Sequence, residues 1–262
     1  MARIITFTTD WSSSDYYIGA VKAAIISKCS DVSFIDISHN IEHFSVFQAG
    51  FVLKSVYKNF PEGSIHIIGV DSEPDRDGYI LVSKYDSQYF ISSNNGCTGF
   101  IFEKEPEIAV LVETGFAFEG ASFIELNLFS HIAAFIVRDG DITELGEPIN
   151  KIKRKLSVNC QIETDFINGE VIYIDSYQNA ITNISREIFK DYVGDKKFEI
   201  LINTNNITVS EIKQSYKEVD SGEIVCIFNS LGLLEIAIRE GKATQLLNLG
   251  IRSEIRIKYN FS

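Results

Sequence analysis

Three short apolar runs lie near the start of the chain: IITFT at residues 4–8, VSFIDI at residues 32–37 and SIHIIGV at residues 64–70. Each run is rich in β-branched and aromatic residues and is too short for a helix, which indicates a buried strand. Two segments with helical spacing of apolar residues, 17–28 and 47–60, separate the runs. This alternation predicts parallel βαβ units and an α/β domain with a mainly parallel central sheet.

Polar residues follow each of the three predicted strands. Asp10 and Trp11 come after the first strand, Ser38 and His39 after the second, and Asp71 after the third. In open α/β sheets, ligands bind outside the carboxyl ends of the strands. These residues therefore predict a binding site at that edge of the sheet.

Two residues near this edge have alternative interpretations. The carboxylate of Asp10 suits the two hydroxyls of a ribose, but an aspartate at this position can equally cap the loop. Phe44 precedes the second predicted helix and either packs onto it as a hydrophobic staple or offers a flat surface to a ligand ring. The Asn94-Asn95-Gly96 turn favours positive φ values, and its amides can contact a ligand.

Beyond residue 155 the pattern changes to strands alone. Apolar runs at residues 169–175, 198–202, 224–229 and 233–238 alternate with turns, which predicts a small antiparallel barrel or sandwich. The basic run at 151–155 is typical of a solvated connector. We therefore expect an α/β domain over residues 1–155 and an antiparallel β-barrel domain over residues 156–262.

Composition narrows the function. The 262 residues carry a net charge of -12, which argues against nucleic acid because phosphate binding needs concentrated Lys and Arg. The acidic balance either serves solubility or favours a cationic small molecule. The first residues lack the charged and apolar regions of a signal peptide, and no apolar run approaches the ~18 residues of a membrane span. We expect a cytoplasmic protein.

The cysteines and histidines do not indicate a metal site. Four cysteines are widely spaced without a CxxC pair, which argues against zinc or redox chemistry. Of the four histidines, only His39 and His43 lie close together in the sequence. We expect reduced thiols and no metal or organic cofactor.

Several segments together resemble the S-adenosyl-L-methionine (SAM) hydroxide adenosyltransferase family, which also includes the SAM-dependent fluorinase and chlorinase. The similarity runs in order over nearly the whole chain. The segments in the first half are TTDW (8–11), SDYY (14–17), DISH (36–39), FPEGSIH (60–66), NG (95–96) and LGEPI (145–149). Those in the second half are Asp175, NAITNI (179–184) and NSLGLLEIA (229–237).

The resemblance implies a homotrimer that binds SAM between the α/β domain of one subunit and the barrel of its neighbour. Water or hydroxide would attack C5′ of the ribose and release adenosine and L-methionine. The implied contacts are the ribose hydroxyls for Asp10, the sugar for Phe44, the adenine edge for Asn179, the ammonium group for Asp175, the carboxylate for Ser230 and a stacking face for Tyr216. Trp11 and Asn95 complete the predicted substrate-binding set, and Asp71 and Arg76 are the predicted catalytic residues.

The sequence departs from the family pattern in two places. The family's Asp-Pro-Gly-Val-Gly-Thr segment is followed by Arg, whereas here Asp71 is followed by Ser-Glu-Pro-Asp and Arg76 comes two positions early. The family's His-Gly-Arg-Asp segment falls on residues 124–127, which are Ile-Glu-Leu-Asn, so the catalytic His is expected to be absent. His131 lies seven residues later, where a core or surface role is expected.

Three hypotheses remain. The first is a SAM hydrolase in which Asp71, with Arg76 or Glu73, orients the attacking water. The second is a catalytically impaired protein that binds SAM or adenosine, and the third is a trimeric scaffold without a ligand. Halide transfer is disfavoured, because a carboxylate at position 71 would repel an incoming anion.

Overall fold

The computed structural model describes residues 2–74, 78–115, 123–154, 159–202 and 207–260. The chain forms two compact units, Met1–Leu156 and Ser157–Ser262. The first unit combines a sheet with helices on both of its faces, and the second consists mainly of strands.

The described residues of the first unit form seven strands and four α-helices. The strands are β1 (Arg3–Thr9), β2 (Val32–Ser38), β3 (Ile65–Gly69), β4 (Tyr79–Tyr85), β5 (Gln88–Ser93), β6 (Ile108–Glu113) and β7 (Glu147–Pro148). The helices are α1 (Tyr17–Ile26), α2 (Val46–Lys54), α3 (Thr98–Ile101) and α4 (Ser130–Val137). A π-helical turn, Glu125–Phe129, directly precedes α4.

The sheet of the first unit is mixed. Its strand order is β2-β1-β3-β5-β4-β6-β7, with parallel pairing from β2 to β5 and antiparallel pairing in the other three pairs. The prediction of a mainly parallel sheet is therefore wrong. The reason is the β4–β5 hairpin, whose two-residue loop, Asp86 and Ser87, has φ values of 48° and 59°. Such a loop reverses the chain within the sheet.

Apolar residues fill both sides of this sheet, as β3 illustrates. Ile65 and Ile67 belong to the core packed under α1 and α4. Ile68 and Val70 belong to the core that contains residues of α2 and α3 on the opposite side. A strand buried on both faces explains why SIHIIGV is apolar without strict alternation.

In the second unit, the described residues form an antiparallel sheet and two short α-helices. Its strands are β8 (Gln161–Ile162), β9 (Phe166–Ile174), β10 (Ala180–Ser185), β11 (Phe198–Ile202), β12 (Ile207–Val209), β13 (Ile224–Phe228), β14 (Leu233–Ile238) and β15 (Glu254–Tyr259). The helices are α5 (Arg186–Tyr192) and α6 (Ala243–Leu246). The strand order is β12-β11-β15-β9-β10-β14-β13, and β8 pairs with β9.

This sheet curls into a nearly closed barrel. The chain leaving β12 at one edge reaches β13 at the other, where the Lys213 amide donates a hydrogen bond to the Cys226 carbonyl over 2.8 Å. Lys213 also forms a parallel bridge with Ile227. The interior is apolar and includes Ile167, Ile200, Ile236 and Ile257, all fully buried. The predicted barrel-like second domain is confirmed.

Candidate functional site

The carboxyl ends of β1, β2 and β3 meet around Asp10. The Phe44 amide donates a hydrogen bond to Asp10 Oδ2 over 2.9 Å. Thr9 Oγ1 and His39 Nδ1 are 2.8 Å apart, and the His39 carbonyl accepts a hydrogen bond from the Ser12 amide. Asp10 thus caps the loop through one oxygen, while Oδ1 takes no hydrogen bond from the described residues. That oxygen is available for a ligand.

Phe44 is the most exposed of the large apolar residues described at this edge of the sheet. Its side chain is 74% exposed, which does not fit a hydrophobic staple. Helix α2 is capped instead by Ser45, whose hydroxyl accepts a hydrogen bond from the Gln48 amide. Phe44 also has a φ of 64°, an unusual value for a bulky residue. Strained backbone that holds an exposed ring is typical of a binding site.

Asp71 follows β3 at the same edge and is exposed. Its φ of 48° lies in the left-handed region. The Asn95 side chain fixes this turn, because its Nδ2 donates to the Val70 and Asp71 carbonyls over 3.0 and 2.9 Å. Asn95 Oδ1 accepts from the Cys97 amide over 3.0 Å. The side chain of Asn95 therefore holds the Asp71 turn in place, whereas the sequence predicts a contact with the substrate.

Trp11 is half-buried and packs against the core of the first unit. Its ring meets Phe123 edge to face with 5.5 Å between the centroids, and Tyr17 contacts the same Phe123 ring. Gly69 makes room for the indole, since a Cβ at that position would lie 2.4 Å from Trp11 Cζ2. Trp11 thus anchors the loop that carries Asp10. Its predicted contact with substrate remains a prediction.

The loop after Asp71 is tied to β5. The Ser93 hydroxyl donates to the carbonyls of Ser72 and Glu73 over 3.1 and 3.4 Å. The Ser72 side chain is buried, whereas Glu73 is exposed. Arg76, the second predicted catalytic residue, lies outside the described residues.

Glu125 is a candidate that the sequence patterns do not predict. It begins the π-helical turn before α4 and is only 6% exposed. Burial raises the pKa of its carboxyl group, and the negative charges of Asp10 and Glu73 act in the same direction. The Ser72 hydroxyl has the opposite effect. Helical spacing is the sequence signal that indicates burial of Glu125, because this residue shares a helical face with Phe129, Ile132 and Ile136, which are buried.

A second group of predicted residues meets at one end of the barrel. Asp175 Oδ1 accepts hydrogen bonds from the amides of Tyr177 and Asn179 over 3.0 and 2.8 Å. Asn179 Nδ2 donates to Asp175 Oδ2 over 3.1 Å. Asp175 also helps to raise the pKa of the Tyr216 phenol, so these two loops are neighbours. Ser230 lies in the exposed turn between β13 and β14.

Glu235 on β14 supports this end of the barrel and was also missed. Its side chain is buried, with 3% of the residue exposed. Oε1 accepts a hydrogen bond from the Tyr216 hydroxyl, and Oε2 accepts one from Asn229 Nδ2 over 3.2 Å. Burial is the main cause of the raised Tyr216 pKa, and Glu235 adds to it. Glu235 thus orients one predicted binding residue and the turn before Ser230.

Metal ligands are not gathered in the described part of the chain. No group of three or more His, Cys, Asp or Glu residues within it is arranged to hold a metal ion. The four cysteines are thiols that form no disulfide. Among the described helices, none combines the length and apolar character that crossing a bilayer requires.

The sequence and fold are similar to proteins from several prokaryotes. A protein of Methanocaldococcus jannaschii named (R)-S-adenosyl-L-methionine hydrolase is 27% identical, covering 98% of this chain and 96% of its own length. A protein of the same name from Thermus thermophilus is 23% identical over 97% of this chain. A crystal structure of an uncharacterized conserved protein from Thermotoga maritima superposes with a TM-score of 0.86 and 26% identity, covering 97% of this chain and 99% of that one.

Family models match both units. The model of the SAM hydroxide adenosyltransferase N-terminal domain matches residues 5–146. The model of the corresponding C-terminal domain matches residues 169–256. Together they span most of the 262 residues and all the described candidate residues named above. The chain therefore belongs to the SAM hydroxide adenosyltransferase family.

Proposed function

We propose that this protein hydrolyses SAM to adenosine and L-methionine. The observation that carries the proposal is the sheet edge at Asp10, where one carboxylate oxygen takes no hydrogen bond from the described residues and the neighbouring Phe44 is exposed. A carboxylate suits the paired hydroxyls of a ribose, and an exposed ring suits the adjacent sugar. The two relatives named (R)-S-adenosyl-L-methionine hydrolase support the same substrate.

The barrel residues suit the remainder of this substrate. In the proposed complex Asn179 contacts the adenine edge, Asp175 the ammonium group and Ser230 the carboxylate, while Tyr216 stacks against the ligand. Hydrogen bonds to Asp175 and Glu235 restrict the side chains of Asn179 and Tyr216 before any ligand arrives. Such preorganisation favours binding, because less side-chain freedom is lost.

The reaction is a displacement at C5′ of the ribose. Water attacks C5′ and loses one proton to solvent, the C5′–S bond breaks, and its electron pair remains on sulfur as methionine leaves. Asp71 is the proposed water-orienting residue, and Arg76 has the same role in the prediction from sequence. Correct orientation of the attacking group is worth ~7–11 kcal/mol in favourable cases. The chemistry requires no metal or organic cofactor.

The proposal includes a homotrimer in the cytoplasm. Each site would be completed by the α/β domain of one subunit and the barrel of its neighbour. The supporting observation is the separation of the predicted contacts by chain segment, since Asp10 and Phe44 lie in the first unit and Asn179 and Tyr216 in the second.

The direct test is incubation of the purified protein with SAM, followed by chromatography of the nucleosides. We expect adenosine and methionine in equal amounts, and we expect Asp71→Asn to abolish their release. Glu144→Gln, which alters an exposed carboxylate of the first unit, is the control and should leave turnover unchanged. Absence of adenosine after long incubation at high protein concentration would contradict hydrolysis.

The second candidate function is binding of SAM or adenosine without turnover. It is favoured by residues 124–127, which are Ile-Glu-Leu-Asn where the family pattern has a histidine. General-base help is typically worth 10²–10⁴-fold, so its loss would leave slow chemistry. Calorimetric titration separates the candidates: micromolar binding without product supports the second, and binding of neither ligand contradicts both.

A further inference from the structure

One acidic residue, Glu235, lies on the outer face of β14. Side chains alternate along a strand, and Leu234 and Ile236 belong to the apolar interior of the barrel. Glu235 therefore shares the opposite face with Ala237, which packs in a separate small apolar cluster with Ile227. Only 3% of Glu235 is exposed. An acid buried on an apolar face is costly unless hydrogen bonds satisfy its oxygens.

The chain between β12 and β13 is attached to this outer face at three points. The Lys213 amide donates a hydrogen bond to β13, and Arg239 Nη1 donates one to the Val219 carbonyl over 2.7 Å. Between these two points the Tyr216 hydroxyl donates to Glu235 Oε1 over 2.5 Å. That distance is typical of a hydroxyl bonded to an ionised carboxylate. Glu235 thus fixes the tyrosine in the middle of this segment.

The other oxygen of Glu235 holds the turn that contains Ser230. Oε2 accepts a hydrogen bond from Asn229 Nδ2 over 3.2 Å. Asn229 Oδ1 accepts from the amides of Leu231 and Leu233 over 3.0 and 3.2 Å, inside the same turn. These two bonds determine the orientation of the Asn229 amide, because its oxygen is occupied and only its NH₂ group remains for Glu235.

We infer that Glu235 is a positioning residue that aligns the Tyr216 ring and the Ser230 turn as one binding surface. The inference rests on the proposed function, in which Tyr216 stacks against SAM and Ser230 contacts its carboxylate. Adenine is the planar ring of SAM, so Tyr216 contacts the nucleoside end and Ser230 the amino acid end. Glu235 sets the distance between these contacts without touching the ligand, because it is buried beneath them.

A residue in this position affects binding more than chemistry. Loops that are already aligned lose less freedom when the ligand arrives, so their alignment improves affinity. The contacts lie at the two ends of SAM, and neither involves the carbon that water attacks. Interactions of this kind stabilise substrate and transition state equally, and their loss raises KM while kcat stays nearly constant.

The first test is Glu235→Gln, assayed for SAM hydrolysis. Glutamine has a similar size but a single acceptor oxygen, so it cannot accept hydrogen bonds from both Tyr216 and Asn229. We expect KM for SAM to rise roughly tenfold, the scale of a lost hydrogen bond to a charged group, with kcat nearly unchanged. A merely structural defect would lower the active fraction and leave KM unaltered. Glu240→Gln, which changes an exposed glutamate beyond the other end of β14, should retain the wild-type KM.

The second test separates the two ends of the ligand by calorimetric titration. Adenosine has only the nucleoside end, whereas sinefungin, which is not hydrolysed, has both ends. Tyr216→Phe keeps the ring and removes only the bond to Glu235 Oε1, so we expect it to weaken both ligands by a similar factor. Glu235→Gln should weaken adenosine by that same factor and sinefungin by more, because the Ser230 turn is also released. The double variant should bind adenosine no more weakly than Glu235→Gln, since both changes break one bond.

The contrary outcomes are distinct. An unchanged KM in Glu235→Gln would overturn the inference, as would equal weakening of adenosine and sinefungin or additive effects of the two substitutions on adenosine. If Glu235→Gln does not fold, Tyr216→Phe decides, and wild-type affinity of that variant for adenosine would overturn the inference. Failure of the wild type to bind either ligand or to hydrolyse SAM would instead contradict the proposed function.

Discussion

Glu125 carries a cost in stability that a single substitution can reveal. Burial raises the pKa of its carboxyl above the ordinary value for a glutamate, so the folded state resists ionisation more than the unfolded state does. Well below pH 4.5 the carboxyl is neutral in both states, and its burial does not change the free energy of unfolding with pH. As the pH rises from the ordinary pKa of a glutamate through the raised pKa of the folded state, ionisation favours the unfolded state and the free energy of unfolding falls. The cost is therefore largest in alkaline solution.

We predict that Glu125→Gln stabilises the protein at pH 8 and has little effect at pH 4. A gain of about 1 kcal/mol corresponds to a rise in Tm of roughly 2–4 °C for a unit of this size. Thermal unfolding followed by circular dichroism at both pH values measures the difference. A lower Tm for the variant at pH 8 would show that the ionised carboxylate has a stabilising partner.

For single residues, the sequence predicts the surroundings of positions in turns better than the surroundings of positions inside strands and helices. Asp10 and Phe44 stand after strands or before helices, where polar and exposed positions are expected, and the structure brings them together. Glu125 and Glu235 lie inside apolar runs, where one acidic residue has no local signal of its surroundings. The partners of Glu235 come from residues 216 and 229, and their proximity is a property of the folded barrel.

Among the elements, β3 contains a histidine whose neutral form is built into the sheet. His66 Nδ1 lies 2.7 Å from Thr6 Oγ1 on β1, and Nε2 lies 2.7 Å from Gln88 Oε1 on β5. One neutral ring can accept from the threonine and donate to the amide oxygen. Burial lowers the pKa of His66 to about 4, although the Gln88 bond opposes this shift.

We predict that His66 makes the fold sensitive to acid. The unfolded state takes up a proton near pH 6.5, whereas the folded state does so near pH 4. Stability is therefore intact above pH 6.5 and falls between these values by about 3 kcal/mol from this residue. Urea unfolding at several pH values should show this slope in the wild type and a smaller one in His66→Gln. His43→Gln, which changes an exposed histidine, should retain the full slope.

The arrangement of elements was predictable only as far as local pattern determines it. The segments that alternate between strand and helix gave three strands that pair in parallel, as expected. β4 and β5 form a local hairpin, but the position of that hairpin in the sheet is set by long-range pairing. β5 pairs with β3 as well as β4, and that long-range choice makes the sheet mixed. The spacing of residues in the sequence does not indicate which other strands a hairpin will pair with.

For the whole molecule, the decisive feature is that the proposed contacts come from both units. Local patterns indicated an α/β unit followed by a barrel, since each unit has its own core. Oligomeric state has no equivalent local pattern, because a subunit interface is a surface property. A test of the proposed trimer must therefore measure enzymatic activity, with one substitution placed in each unit.

We predict that two inactive variants restore activity when they are co-expressed. Asp10→Ala removes the proposed ribose contact, and Asn179→Ala the proposed adenine contact, so each homotrimer should be inactive. If each site joins the first unit of one subunit to the second unit of its neighbour, randomly mixed trimers contain intact sites at about a quarter of positions. Adenosine release by the unfractionated mixture of co-expressed chains should then reach about a quarter of the wild-type rate. If each site were formed within one chain, every site would carry a substitution and the hybrids would remain inactive.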